Sequence, residues 1–395
     1  MACPYVRNLY EGLKELGSEV DIYEPLSDFY RQNVKEQYAN GAAPGMTVEP
    51  ELSGELADGA RAFADTAIIV ISRFSGEGWD RSSIEYNGEY NPWETETSMP
   101  KTAGKIFPDG DFYLTKEEKA MVEQVKERFD NIAVVLNIGG VIDLSWAKED
   151  EKLSAVLLAW QGGMEGGLAA AEILTGKVNP SGKLADTFAA HVEDYPSTEN
   201  FHESVEYVDY IEDVYVGYRY FETIPGAADK VCYPFGYGLS YTTFDMEIRK
   251  AWEEKENVKL EVLVTNTGDV PGKEVVQVYY SAPQGLLGKP AKELAAFKKT
   301  RLLQPGESQV ITLVFTVGSM ASFDDLGKIQ KSAYVLEKGT YEIYVGTSVR
   351  NAEKIDFAVT MAENKVVEQL SSKVAPTSLK KRMLADGSFE ELTQS

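Results

Sequence analysis

Three short apolar runs, each followed by glycines, constrain the fold of this 395-residue chain more than any other feature. They lie at residues 67–71, 132–138 and 155–160 and are rich in valine, isoleucine and leucine. Such runs are typical of parallel strands that are covered on both faces. A helix is predicted from Thr115, which has capping-box spacing to Glu118. Strand, glycine loop and helix in this order predict an α/β three-layer sandwich with a doubly wound, mostly parallel sheet.

The start of the chain departs from this order. Apolar residues at 6–16 have helical spacing and end at Gly17, and residues 19–23 alternate like a short strand. Because no strand precedes the helix, we expect the first strand of the layer to be missing and the numbering to start inside a domain. Residues 26–58 are polar, with several glycines and prolines, and predict a loop that could contain a short helix.

The second half of the chain has a different character, so the first domain is predicted to span residues 1–195. Residues 196–242 are crowded with tyrosine and glycine, and we interpret them as a connector that packs on the first domain. Residues 243–362 alternate in period two between turns, which predicts a small antiparallel sandwich. Residues 363–395 are polar with one weakly amphipathic helix, and we interpret them as a linker.

The charge balance restricts the partners of the chain. It carries 63 acidic and 39 basic residues, with a formal net charge of −24. Nucleic acids and anionic membrane surfaces bind clustered lysine and arginine, so we expect neither as a partner. No apolar run approaches the roughly 20 residues that span a bilayer, and no signal-peptide pattern opens the sequence. We therefore expect a cytoplasmic location. The sequence leaves open whether the chain forms a homo-oligomer.

The sequence gives little support for metal or covalent cofactor chemistry. Its two cysteines are Cys3 and Cys232, and its two histidines are His191 and His202. Neither pair has a short ligand spacing, which disfavours a zinc site and a disulfide framework. No G-x-S-x-G motif accompanies either histidine. We expect no metal.

Two glycine-rich segments resemble nucleotide-binding loops only superficially. In residues 176–184, five residues rather than four separate Gly176 from Gly182, and Lys183 is followed by leucine instead of Ser or Thr. Residues 161–167 lack the G-x-G-x-x-G order of a dinucleotide-binding loop. We therefore expect no nucleotide cofactor.

The main candidate for chemistry is Glu77, in the string SGEGWDR directly after the first apolar run. In open α/β sheets, ligands bind beyond the carboxyl ends of the strands. Small, permissive residues flank Glu77 and suit a close approach of the backbone to a ligand. The local pattern leaves one alternative open, which is an ordinary polar loop with a solvated glutamate.

Strings spread in order along the chain resemble one enzyme family. The C-terminal α/β-sandwich domain of glycoside hydrolase family 3 is similar to SGEGWDR (75–81), GDFYLTKEE (110–118), VVLNIGGVIDLSW (134–146), LLAWQGGMEGG (157–167), NPSGKLADTF (179–188), VYVGYRYF (214–221) and PFGYGLSYTTF (234–244). The fibronectin type III-like domain of β-glucosidases in that family resembles TNTGDVPGKEVVQVYYSAP (265–283), KPAKELAAFKKTRLLQPGES (289–308) and YEIYVGTS (341–348).

The resemblance implies a retaining glycosidase that acts on carbohydrate, with a β-glucoside or oligosaccharide as substrate. In this family an Asp nucleophile comes from a (β/α)₈ barrel and a Glu acid/base comes from the α/β sandwich, and the SGEG motif gives Glu77 the second role. The resemblance also makes Trp79, Asp80 and Arg81 candidates for substrate binding. Trp79 would stack on a sugar face, and Asp80 and Arg81 would pair and hold the loop, with a purely structural role as the alternative.

Nothing in the chain supplies the repeating β/α pattern of about 250 residues that a barrel needs. In a circularly permuted branch of the family, the α/β sandwich comes first, the fibronectin-like domain second and the barrel last. We therefore expect the front portion of such an enzyme, inactive without its barrel. Two alternatives are a non-catalytic carbohydrate-binding or scaffolding module, and an enzyme that pairs Glu77 with Glu165 or Asp143.

Overall fold

The computed structural model divides the chain into two compact units, Met1–Val178 and Asn179–Ser395. The domain boundaries predicted after residues 195, 242 and 362 stay predictions. The residues that the structure describes are 4–42, 45–74, 106–200, 204, 206–373, 375 and 378–392.

The first unit is built on a parallel sheet. Strands β1 (Thr66–Arg73), β2 (Asn131–Ile138) and β3 (Leu153–Leu158) pair in the order β1-β2-β3. All three run in the same direction, with Thr66 opposite Asn131 at the start of the first pair. The predicted α/β class is confirmed. The helices are α1 (Leu9–Glu15), α2 (Glu24–Ala39), α3 (Gly54–Phe63), α4 (Lys116–Lys126), α5 (Ser145–Lys148) and α6 (Gly166–Leu174), with a 3₁₀ turn at Gly17–Glu19.

Local signals explain where several helices begin and how they pack. The Thr115 side chain accepts a hydrogen bond from the Glu118 amide, and the Glu118 side chain accepts one from the Thr115 amide, so the predicted capping box is confirmed. Helices α1 and α6 pack closely because both contact positions are glycines. A Cβ atom on Gly12 would collide with the backbone of Gly167, and a Cβ on Gly167 would collide with the backbone of Asn8.

Three expectations for the first unit are wrong. Residues 19–23 form no strand: Glu19 ends a 3₁₀ turn, and residues 20–23 have no ladder partner in the described part of the chain. Residues 26–58 are largely helical, because α2 runs for 16 residues and α3 begins at Gly54. Strand β1 buries one face only: Ile68 and Val70 are 39% and 44% exposed.

The second unit begins with the tyrosine- and glycine-rich segment. Strands β4 (Phe188–Ala189) and β5 (Val231–Tyr233) pair antiparallel, and the short helix α7 (Tyr218–Phe221) buries Phe221 completely. Two 3₁₀ turns, Val192–Asp194 and Ala227–Lys230, complete this part. Its aromatic side chains pack on one another, as in the edge contact of Tyr195 with Phe221 at 5.6 Å between ring centroids.

The rest of the second unit is an all-β structure, as predicted. The strands are β6 (Phe244–Glu254), β7 (Asn257–Asn266), β8 (Val275–Ser281), β9 (Glu293–Lys299), β10 (Ser308–Thr316), β11 (Ser322–Asp324), β12 (Ala333–Leu336), β13 (Gly339–Gly346), β14 (Glu353–Met361) and β15 (Lys365–Gln369), with a 3₁₀ turn at Val317–Met320. One sheet has the order β10-β7-β6, a second has β14-β13-β8-β9 and a third has β11-β12-β15, all with antiparallel pairs. Inward residues of the first two sheets form the main apolar core, and Ala333 and Val335 of β12 pack in a smaller cluster with Leu287.

The weak helix expected within residues 363–395 is wrong for the described residues, and the interpretation of this segment as a linker stays a prediction. Strand β15 pairs with β12, and β16 (Lys381–Met383) forms a hairpin with β17 (Phe389–Glu391). The hairpin is fixed to the same unit, because the Met383 amide donates to the Ile211 carbonyl at 2.7 Å. No helix in the described ranges is both long and apolar enough to cross a membrane.

Arg382 carries the electrostatic part of this attachment. Its guanidinium lies 2.8 Å from Asp325, 3.1 Å from Glu390 and 3.6 Å from Asp213, and its side chain is 14% exposed. Three carboxylates converge on one cation, so removing the cation leaves them to repel one another.

We predict that Arg382→Met lowers the free energy of unfolding of the second unit by about 2 kcal/mol, since hydrogen bonds to charged groups are lost together with the neutralising charge. Urea denaturation followed by tryptophan fluorescence measures this change. Arg249→Met is the matched control, because Arg249 pairs with Glu247 at an exposed site and its loss should change stability by less than about 0.5 kcal/mol. Equal effects of the two substitutions would contradict the prediction.

Candidate active site

The predicted site residues Glu77, Trp79, Asp80 and Arg81 lie outside the described residues. Near these residues, the structure describes the chain up to Phe74, directly after β1, and then from Ile106. The assignments of these four residues therefore stay predictions. The described residues before and after residues 75–105 show what surrounds the two ends of that segment.

Arg73, the last residue of β1, lies at the centre of these surroundings. Its Nε donates to the Asp111 carbonyl at 2.8 Å, and its Nη2 donates to the Tyr113 carbonyl at 3.0 Å. Its Nη1 donates to the Ser72 carbonyl at 2.8 Å. The side chain is 2% exposed. The end of β1 is thus bonded directly to the chain that leads into α4.

Glu118 compensates the charge of Arg73. Its two carboxylate oxygens each accept a hydrogen bond of 2.7 Å from the guanidinium, one from Nη1 and one from Nη2. The same carboxylate accepts the Thr115 amide at 2.8 Å, and the Phe107 ring lies 4.8 Å from the guanidinium carbon. A bidentate pair of this kind combines strong hydrogen bonds with a fixed orientation.

A second titratable group, Glu49, lies near the same strand end. Its carboxylate accepts a 2.7 Å hydrogen bond from the Tyr30 hydroxyl. The pKa of Glu49 is raised to about 7, mainly by burial and to a smaller extent by the charge of Glu118, while the hydrogen bond from Tyr30 acts in the opposite direction. The segment that leads to Glu49 passes the end of β1, because a Cβ on Gly45 would collide with Phe74.

The two carboxylates considered as partners for Glu77 have structural contacts. Asp143 accepts the amide of Ser145 at 2.8 Å and its hydroxyl at 2.5 Å, which stabilises the start of α5. Glu165 accepts hydrogen bonds from Tyr5 and, at 2.5 Å, from Arg7. The Tyr5 bond and then the Arg7 bond lower the pKa of Glu165. Asp143 and Glu165 therefore stabilise the chain segments that lie next to them.

Sequence reasoning missed Arg73 and Glu49. A signal for Arg73 exists, because it continues the period-two series of Ile69 and Ile71 on the buried face of β1. A charge at such a position requires a buried partner. Glu49 carries no comparable signal, since it lies between helices in a segment without periodicity. In the described part of the chain, no group of three or more His, Cys, Asp or Glu residues could hold a metal ion.

The chain matches two domain families. Residues 1–241 match the Glycosyl hydrolase family 3 C-terminal domain, and residues 274–349 match the Fibronectin type III-like domain. The first match alone covers more than half of the 395 residues. The chain belongs to glycosyl hydrolase family 3 and corresponds to the C-terminal domain of that family followed by a fibronectin type III-like domain.

Its relatives are β-glucosidases. Beta-glucosidase A of Butyrivibrio fibrisolvens is 56% identical, over 99% of this chain and 49% of that enzyme. The β-glucosidase structure from Paenibacillus barengoltzii has 42% identity and a TM-score of 0.84, over 99% of this chain and 42% of that one. The structure of β-glucosidase 3B from Thermotoga neapolitana in complex with α-D-glucose has 34% identity and a TM-score of 0.76, over 93% of this chain and 48% of that one. This chain spans about half the length of these relatives, or less.

We predict that Glu49→Gln removes a pH dependence from the stability of the first unit. A carboxyl whose pKa is raised to about 7 by folding stabilises the fold fully below its unfolded pKa of about 4.3, and this contribution is lost as the pH rises through 7. The melting temperature of the unmodified chain, relative to that of the variant, should therefore fall between pH 5 and pH 8.

Thermal melts at half-unit pH steps measure this difference. Glu51→Gln is the control, since Glu51 is an exposed carboxyl two residues further along the chain and should leave the profile unchanged. A constant difference between the Glu49 variant and the unmodified chain across the range would show that Glu49 does not titrate there.

Proposed function

We propose that this chain is the part of a retaining, exo-acting β-glycosidase that supplies the general acid/base, Glu77, for the hydrolysis of terminal β-linked sugars. The observation that carries the proposal is the SGEG motif at residues 75–78, directly after a strand of the parallel sheet, within the family match that covers residues 1–241. The names of the relatives support a β-glucoside as the substrate.

The position of the motif fits this role on physical grounds. Ligands of open α/β sheets bind beyond the carboxyl ends of the strands, and β1 ends at Arg73. Four residues of extended chain span at most about 14 Å. Glu77 is therefore tied covalently to the edge of the sheet at which a ligand is expected.

The reaction needs a second carboxylate that this chain is not proposed to supply. In a retaining mechanism, one carboxylate attacks the anomeric carbon while the acid protonates the leaving oxygen and becomes a carboxylate itself. That carboxylate then deprotonates the water that hydrolyses the glycosyl-enzyme bond, and the two groups lie about 5–5.5 Å apart. We assign the nucleophile to a (β/α)₈ barrel of the same enzyme, in the part of the relatives that this chain does not match. The isolated chain is then inactive.

The acid must hold a proton near neutral pH, which requires a raised pKa for Glu77. Closure of the cleft around substrate and the negative charge of the nucleophile both act in that direction. Trp79 is proposed to stack on a sugar face, and Asp80 and Arg81 are proposed to pair and hold the loop. The alternative of a self-sufficient site loses support, because Asp143 and Glu165 are engaged in local contacts.

We predict that Glu77→Ala in the full-length enzyme lowers kcat/KM by about 10²- to 10⁴-fold on aryl β-glucosides with poor leaving groups, because general acid assistance is lost. The loss should be far smaller with 2,4-dinitrophenyl β-glucoside, whose leaving group departs without a proton. Azide should restore turnover and give a β-glucosyl azide. Steady-state kinetics and product analysis measure both effects.

Glu151→Ala is the control, because Glu151 is exposed and should leave the kinetics unchanged. A leaving-group dependence that is the same in Glu77→Ala and in the unmodified enzyme would remove Glu77 from the mechanism. Activity of the isolated chain equal to that of the full-length enzyme would contradict the role of the barrel. Calorimetric titration of the isolated chain with glucose and cellobiose tests the remaining alternative, a non-catalytic binding module.

A further inference from the structure

We propose that Arg73 is a positioning residue for the reaction: its buried contacts fix the two ends of the chain segment that carries the acid/base. The inference rests on the proposed function of Glu77. It concerns a residue that acts through the backbone and through Glu118, not one that touches the substrate.

The hydrogen bonds of Arg73 exclude a direct role in binding. A guanidinium has five N–H donors, and all five are used: two on Glu118 and one each on the carbonyls of Ser72, Asp111 and Tyr113. No donor remains for a sugar hydroxyl or a carboxylate of the active site. The side chain is also buried on the face of the sheet that packs in the interior of the first unit.

The acceptors are far from Arg73 in sequence. Asp111 and Glu118 are 38 and 45 residues away, so one side chain is bonded both where the intervening segment leaves β1 and where it returns. The departure point is the last residue of β1, paired with Ile138 of β2. The return point is further held by the bond of 2.9 Å from the Asp143 amide to the Phe112 carbonyl. Arg73 thus connects the strand end to a backbone that is itself anchored.

The buried pair of Arg73 and Glu118 is charged, which favours a role in fixing geometry over a role in stabilising the fold. A buried ion pair contributes little stability compared with an apolar pair of similar volume. The two parallel hydrogen bonds between a guanidinium and a carboxylate, however, form in only one relative orientation of the two groups. Three residues separate Arg73 from Glu77, and a displacement of about 1 Å at a catalytic group can lower the rate about 10²-fold. Loss of the bidentate pair should therefore impair the step that depends on Glu77.

The test uses two variants in the full-length enzyme. Arg73→Lys keeps the charge but cannot make the bidentate pair or all three carbonyl bonds. The double variant Arg73→Met with Glu118→Gln leaves no unpaired buried charge, and glutamine at position 118 still suits the capping box with Thr115. Arg128→Lys is the matched control, because Arg128 pairs with the exposed Asp58 in the same unit.

The readout is kcat/KM for a series of aryl β-glucosides with leaving groups of increasing pKa, per mole of enzyme trapped by a fluorinated glucoside. Both variants should lose about 10- to 100-fold with phenyl β-glucoside and less than about 2-fold with 2,4-dinitrophenyl β-glucoside. The control should lose nothing with either substrate. A structural role alone predicts the same loss with every leaving group.

A uniform loss in folded variants, or no loss, overturns the inference. Failure of the proposed function is recognised separately, because Glu77→Ala would then lack leaving-group dependence as well. If both Arg73 variants fail to fold, Glu118→Asp decides the question, since it keeps a carboxylate to neutralise Arg73 while its shorter side chain loses the bidentate geometry of the pair. A fall in kcat/KM with phenyl β-glucoside but not with 2,4-dinitrophenyl β-glucoside supports the positioning role of Arg73, and an equal fall with both substrates overturns it.

Discussion

A guanidinium that is buried at the end of a strand must have its charge neutralised and its N–H groups bonded, because each unmet requirement costs free energy in a low-dielectric interior. Arg73 meets both requirements through Glu118 and three backbone carbonyls. The strand, the segment before α4 and the cap of α4 are therefore held in one arrangement. The long segment with the SGEG motif starts and ends at this arrangement, so the proposed chemistry depends on it.

The same requirement organises the second unit. Asp324 is fully buried, and its carboxylate accepts the four successive amides of residues 327–330 at 2.7–3.0 Å. Glu337 pairs with the buried Lys289 and accepts the amides of Leu286 and Leu287. In each case one carboxylate accepts backbone amides of an irregular segment and so fixes its course. Buried charges in this chain thus determine the course of irregular segments, whereas apolar residues fill the cores between the strands.

The sequence predicted the elements whose signals lie within a few residues. Periodicity located β1 and β2, and the capping box of Thr115 located the start of α4. The length of helix α2 was missed although Leu26, Tyr30 and Val34 recur at helical spacing, because most of its residues are polar and none is buried. Tyr10 and Lys14 support the helix by bonding to Glu24. Strand β15 was missed because all five of its residues are exposed, and its pairing with β12 is the interaction that orders it.

The sequence by itself determined the fold class through the periodicity of its segments. The resemblance of its ordered motifs to glycoside hydrolase family 3 identified the family and made Glu77 the candidate acid/base. Only the tertiary structure decided that Arg73 is saturated by its partners, that the pKa of Glu49 is raised to about 7, and that Asp143 and Glu165 serve local contacts. The physical reason is that burial and hydrogen bonding bring together groups that are distant in sequence, such as Arg73 and Glu118, 45 residues apart. No local pattern encodes the identity of such a partner.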